Sequence, residues 1–176
     1  MRWSLFAVAP ALIAAPALAP QVAYATTYLT LEQAQQAIFP GAKLQRMIVV
    51  LSDAQKNAIE ERSGVRVRVG ELEVWKAADG SFFLVDEVLG KHEMISYAVG
   101  ISATGALRQV EILDYREKQG GEIRSPEWRA QFVGKTAAAP LKLDQDIRNI
   151  SGATLSCRHV VDGIKRLLAT VDVALK

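Results

Sequence analysis

Residues 95–115 read ISYAVGISATGALRQVEILDY. Ile95, Tyr97, Val99 and Ile101 alternate with smaller or polar residues, the period of a strand with one buried face. Thr104-Gly105 breaks the run, and Leu107 to Tyr115 supplies a second strand, so the stretch predicts a hairpin. A lone hairpin is marginal in water and needs further strands. The upstream sequence offers them. Glu71 to Ala77 has strand character, Asp79-Gly80 signals a turn, and Phe82-Phe83-Leu84-Val85 is an apolar run after it. Ala42 to Leu51 predicts another strand. Val65, Val67 and Val69 alternate with Arg66 and Arg68 and predict strand there too.

Helices flank these runs. Thr30 and Gln33, then Ser52 and Gln55, are spaced as capping boxes, with Pro40-Gly41 and Gly64 as the respective stops. Ser125-Pro126-Glu127 is a helix start that places Pro at the first helical position, and Gly134 ends it. A final helix is predicted from about Leu155 to Ala174, with Val160, Ile164, Leu167, Leu168 and Val171 as its apolar stripe. The expected class is α+β: an antiparallel sheet with helices packed on one face.

Half of the 176 residues are apolar, enough for a buried core, and the formal charge is +2. That charge argues for neither nucleic acid nor an anionic membrane. Arg2 followed by the Ala-rich run Ser4 to Ala19 reads as a secretory signal peptide. Ala23-Tyr24-Ala25 offers the cleavage signal, so residues 1–25 are expected to be removed and the protein to be exported to the periplasm. Ala17-Leu18-Ala19 is a second candidate, but Pro20 follows it. Cys157 is the single cysteine, which excludes an internal disulfide. It is expected to be a small buried residue. Two histidines and one cysteine give no metal-ligand spacing. Neither a P-loop nor a dinucleotide fingerprint is present.

Chemistry points to Ser151-Gly152-Ala153-Thr154-Leu155-Ser156. Backbone N–H groups at a helix entrance lack helical partners and favour an anion, commonly phosphate. Gly152 and Ala153 allow close approach, and Ser151, Thr154 and Ser156 bring hydroxyls. On the residues alone, Ser151 or Thr154 serving simply as an N-cap is the favoured reading, since any helix needs capping.

Four segments in order change that balance. They are the hairpin with A-T-G ending in Tyr115-Arg116-Glu117, the glycine loop Glu117 to Ile123, Trp128 with Gln131-Phe132 and Gly134-Lys135, and S-G-A-T with its helix. Together they resemble the FMN-binding domain family, over roughly residues 90 to 170. That family is shared with the FMN-carrying subunits of Rnf and Na+-translocating NADH:quinone reductase complexes. The resemblance implies FMN as cofactor, joined by a separate flavin transferase to the last threonine of S-G-A-T, here Thr154. Ser151, Gly152, Ala153, Leu155 and Ser156 would seat the phosphate. Glu117, Gly120 and Gly121 would lie against the ring or hold the loop. Trp128 and Tyr97 are candidates for ring stacking or for core, and His92 and His159 for flavin contacts or for surface.

Many members carry an acidic residue shortly before S-G-A-T. Here Arg148 and Asn149 stand closest, with Asp144 and Asp146 further upstream. The resulting expectation is a signal peptide over 1–25, an N-terminal α+β lobe over 26–89 and the FMN-binding domain over 90–176. The protein would carry electrons between a redox donor and an acceptor protein rather than turn over a substrate of its own. The alternatives are a non-covalent FMN or phosphate-ligand binding module, or an accessory subunit of a membrane redox complex.

Overall fold

The computed structural model describes residues 28–176; the expected signal peptide and its candidate cleavage signals lie outside them. Five antiparallel strands form one sheet in sequence order. They are β1 (Leu44–Val50), β2 (Glu71–Ala77), β3 (Phe82–Leu89), β4 (Met94–Ile101) and β5 (Leu107–Tyr115). The strands before residue 90 thus extend the sheet that the 95–115 hairpin starts. Helix α1 (Leu31–Ile38) precedes β1, and α2 (Asp53–Ser63) joins β1 to β2. A short α3 (Pro126–Ala130) and the long α4 (Thr154–Thr170) follow β5.

Local chemistry sets the element ends. Both capping boxes form, Thr30 with Gln33 and Ser52 with Gln55. Gly64 closes α2 in the left-handed region, where it takes φ 68°. Ser125 caps α3 by accepting from the Trp128 N–H.

The α+β class and the antiparallel sheet are as expected, and α4 covers one face. Val74, Leu84, Tyr97, Val99, Val110 and Ile112 point toward it and share a core with Val160, Ile164, Leu167 and Leu168. The one-face arrangement needs one addition. Trp75, Phe83, Ala98 and Leu113 point the other way, and α1 lies over them with Ala34, Ile38 and Phe39. Consecutive bulky pairs such as Val74-Trp75 and Phe82-Phe83 leave neither face of the sheet polar, so both need cover.

Val65 to Val69 differ from expectation. Val65 and Val67 are half-buried and Arg66 and Arg68 exposed, as alternation requires, but Val69 is exposed too and the segment joins no strand. Its polar groups are met locally instead. The Val67 N–H donates to Glu60 Oε1 at 2.8 Å, and the Val65 N–H to Ser63 Oγ at 3.1 Å. β1 is an edge strand of the sheet, and its ladder runs to residues 71–77 and not to this segment.

A polar link fastens α4 to the sheet. Asp86 on β3 accepts from the Tyr97 hydroxyl on β4 and from Arg166 on α4, each at 2.6 Å. Gly163 makes this approach possible, because a Cβ there would collide with the Tyr97 hydroxyl. Burial first, then the nearby Asp86 charge, pushes the Tyr97 phenol well above its ordinary range. An unfolded tyrosine ionises near pH 10, so the native chain keeps a proton that the unfolded chain loses. This contribution to stability is whole below pH ~10 and is lost as pH rises further. Thermal unfolding between pH 9 and about 11.5 is expected to fall less steeply in Tyr97→Phe than in wild type; equal slopes would refute this.

Candidate functional site

Helix α4 begins without a side-chain cap. Its N-cap is Ala153, and Thr154 is the first helical residue. The first helical bond is from the Cys157 N–H to the Ala153 carbonyl at 2.9 Å. Among the described residues, no acceptor takes the N–H groups of Thr154, Leu155 or Ser156. The first turn carries no acidic residue either. Neither Ser151 nor Thr154 is therefore an N-cap, and the helix end keeps its donors free for an anion. The dipole adds roughly 0.3–1 kcal/mol for a negative group at such an exposed end.

The glycine loop packs directly against this entrance. Gly120 has φ 83°, and a Cβ on it would collide with the Ala153 Cβ and come within 2.6 Å of the Tyr115 hydroxyl. The Tyr115 hydroxyl donates to the Gln119 carbonyl and fixes the loop's path. It reaches this position through a bulge, since β5 skips Leu113 between Tyr97↔Ile112 and Ser96↔Asp114. The extra residue puts Tyr115 on the same core face as Ile112. Burial pushes the Tyr115 phenol up to about 12, with the Ser156 hydroxyl pulling the other way.

Between loop and helix entrance lies an open cleft of about 650 Å³, lined by Lys118, Gln119, Gly120, Gly121, Glu122 and Ser151. Its size is within the usual range for cofactor pockets, roughly 300–1,000 Å³. Lys118, Gln119 and Glu122 thus join the cleft, although the resemblance drew only Glu117, Gly120 and Gly121 from this loop.

Thr154 is half-buried, and its Oγ1 accepts from Asn149 Nδ2 at 3.2 Å. The turn before it is braced from α3. Trp128 Nε1 donates to the Arg148 carbonyl at 2.8 Å, and the Arg148 N–H donates to Gln131 Oε1 at 2.7 Å. Trp128 is therefore core and brace, being 1 % exposed, and Tyr97 is fully buried; neither presents a face for ring stacking. The Arg148 side chain is exposed. Asp146 is engaged elsewhere, accepting from Lys135 at 2.9 Å and from the Lys142 N–H at 2.7 Å.

Glu117 holds a loop. Its Oε1 accepts from the His92 N–H at 2.6 Å and the Glu93 N–H at 3.1 Å. Burial pushes its carboxyl up, but the backbone donors of His92, Glu93 and Lys91 outweigh that and hold it below the ordinary Glu value. The His92 side chain is exposed. The His159 ring meets the Leu89 carbonyl through Nδ1. Cys157 is fully buried, as expected, and burial raises its thiol pKa.

The donor set suits a flavin mononucleotide: free helix-terminal N–H groups for a phosphate, and beside them a cleft roomy enough for a flat ring. A family model described as FMN-binding domain matches residues 90–169. Residues 90–169 belong to the FMN-binding domain family. FMN is the cofactor of this domain. The crystal structure of Shewanella oneidensis NqrC shares the fold at 15 % identity and TM-score 0.50, over 78 % of this chain and 84 % of that one. The crystal structure of a Na(+)-translocating NADH-quinone reductase subunit from Parabacteroides distasonis is also similar. There the identity is 14 % and the TM-score 0.41, over 72 % of this chain and 78 % of that one. No curated protein matches the chain.

The tight Gly120–Ala153 approach makes a prediction for the FMN-binding domain. Gly120→Ala meets both an unfavourable φ and a backbone-rooted collision, and is expected to cost about 2–3 kcal/mol. Gly121→Ala is the comparison, because its Cβ would meet only the flexible Arg124 side chain, at 3.2 Å. Urea unfolding reads the difference; equal midpoints for the two variants would contradict the packing argument.

Proposed function

We propose that this protein is an exported electron-transfer flavoprotein whose FMN is attached through phosphate to Thr154. The observation that carries the reading is the Thr154 hydroxyl at the first residue of an uncapped helix, beside the glycine-loop cleft. A flavin transferase using flavin adenine dinucleotide would supply the FMN phosphoryl group. Thr154 Oγ1 bonds to that phosphorus, the pyrophosphate P–O bond breaks, AMP leaves, and the hydroxyl proton passes to a base on the transferase. The phosphodiester that results carries one negative charge, and the free N–H groups of Thr154, Leu155 and Ser156 are placed to solvate it. Ser151, Gly152 and Ala153 line the same turn, while Gly120 and Gly121 border the cleft on the ring side. FMN, when bound, supplies one- or two-electron transfer, and the protein supplies placement.

Export is supported by the charged, Ala-rich N-terminus and by Ala23-Tyr24-Ala25. It gives a covalent bond a purpose, since a flavin that dissociates outside the cytoplasm is lost by dilution. The fold shared with NqrC supports a donor or acceptor within a membrane redox complex. Among the described residues no helix is long and apolar enough to cross a membrane.

Non-covalent FMN binding is a second reading, favoured by the absence of an acid at Arg148 and Asn149. Protein co-produced with a flavin transferase separates the two on a denaturing gel. Flavin fluorescence that stays with the denatured band is the expected result. A band without fluorescence, from a chain that held FMN before denaturation, would establish the second reading.

A further inference from the structure

The Thr154 hydroxyl has one partner among the described residues, the side chain of Asn149. The orientation of that amide is fixed by its other end. The Ile150 N–H donates to Asn149 Oδ1 at 2.9 Å, and a backbone N–H can be met only by the amide oxygen. The Nδ2 end therefore faces Thr154 and acts as donor to Oγ1. A helical threonine often turns its hydroxyl back onto the carbonyl four residues earlier. Here that carbonyl, on Ile150, already accepts from the Ala153 N–H at 3.1 Å. The Asn149 backbone is held in turn, since its neighbour Arg148 is braced at N–H by Gln131 and at the carbonyl by Trp128.

We infer that Asn149 is a positioning residue for flavin attachment: its amide occupies one face of Thr154 Oγ1, leaving the remaining lone pair for the incoming phosphoryl group and the proton for the transferase's base. The inference rests on the covalent reading of Thr154. A neighbouring carboxylate would draw the hydroxyl proton toward itself, whereas the amide leaves that proton free for a base on the transferase.

The test follows attachment to the full mature chain by intact mass over time, with purified flavin transferase and flavin adenine dinucleotide. Wild type, Asn149→Ala and Asn149→Ser are compared. Serine can still accept locally from a turn N–H but is too short to reach Thr154. The rate at saturating chain concentration is expected to fall about tenfold in both variants, with little change in the concentration for half-maximal rate. The melting temperature of Asn149→Ser should stay near that of wild type. If Asn149→Ser is modified at the wild-type rate while Asn149→Ala is slow, Asn149 only holds the turn, and the positioning role fails. If both variants match wild type, the role also fails, while the covalent reading of Thr154 stands. A wild-type chain left unmodified overturns both.

Discussion

Thr154→Ala is expected to carry no covalent flavin, whereas wild type gains the mass of one FMN less one water. The two chains should otherwise be alike. Thr154 does not cap α4, and among the described residues its hydroxyl has a single partner, accepting from the half-buried Asn149. Alanine is the better helix former at such a position, so stability is expected to change by less than about 1 kcal/mol in either direction. This separates loss of the attachment atom from loss of the fold. Thr154→Ser keeps a hydroxyl at the same helical position and should be modified, more slowly because its χ1 is less restricted. Intact mass and unfolding midpoints of the three chains give the answer. Covalent flavin on Thr154→Ala would move the attachment point elsewhere, with Ser151 and Ser156 as the neighbouring hydroxyls to examine.

Asp86→Ala is expected to produce the largest loss of stability, about 3 kcal/mol or more. The carboxylate serves two partners from two other elements, the fully buried Tyr97 hydroxyl and the largely buried Arg166. Its removal leaves a guanidinium without its counter-charge and a buried hydroxyl without an acceptor, each unfavourable on its own. Asp86→Asn retains an acceptor for Tyr97 and should cost less. Tyr97→Phe in the Asp86→Ala background removes the orphaned hydroxyl, so the double variant should be less destabilised than the sum of the two singles. Urea unfolding with unchanged m-values is the appropriate measurement. A single-variant loss under 1 kcal/mol would mean that water satisfies both groups and that the link is peripheral.

Much of the fold follows from local chemistry. The caps at Thr30, Ser52 and Ser125, the turns at Gly80 and Gly105, and the hairpin of 95–115 each depend on residues within a few positions. Such signals survive in the linear chain. Val65 to Val69 mark where this ends. Their alternation reports Val65 and Val67 as covered, but Val69 is exposed, and the segment's N–H groups go to Glu60 and Ser63 rather than to a neighbouring strand, a choice that periodicity alone does not carry. The placement of α1 is similar, because Phe83 and Trp75 show that a second face must be covered without saying by what.

The site divides along the same line. The order of S-G-A-T, the glycine loop and the W-Q-F segment pointed to FMN and to Thr154. Single residues in that set were harder to assign. Trp128 and Tyr97 carry aromatic rings suited to stacking, but both are taken up by the core, and Trp128 commits its indole N–H to Arg148. Glu117 holds the 90–93 loop through backbone donors that come from another turn of the chain.

By itself the sequence determined the elements, the helix entrance and the one threonine hydroxyl on it, because these rest on periodicity, capping and residue order. Only the tertiary structure decided that the entrance is uncapped, that the β5 bulge carries Tyr115 and the glycine loop onto Ala153, and that Asn149 meets Thr154. Each of those depends on groups brought together by packing, and distances across a core are not written in the spacing of residues along a chain.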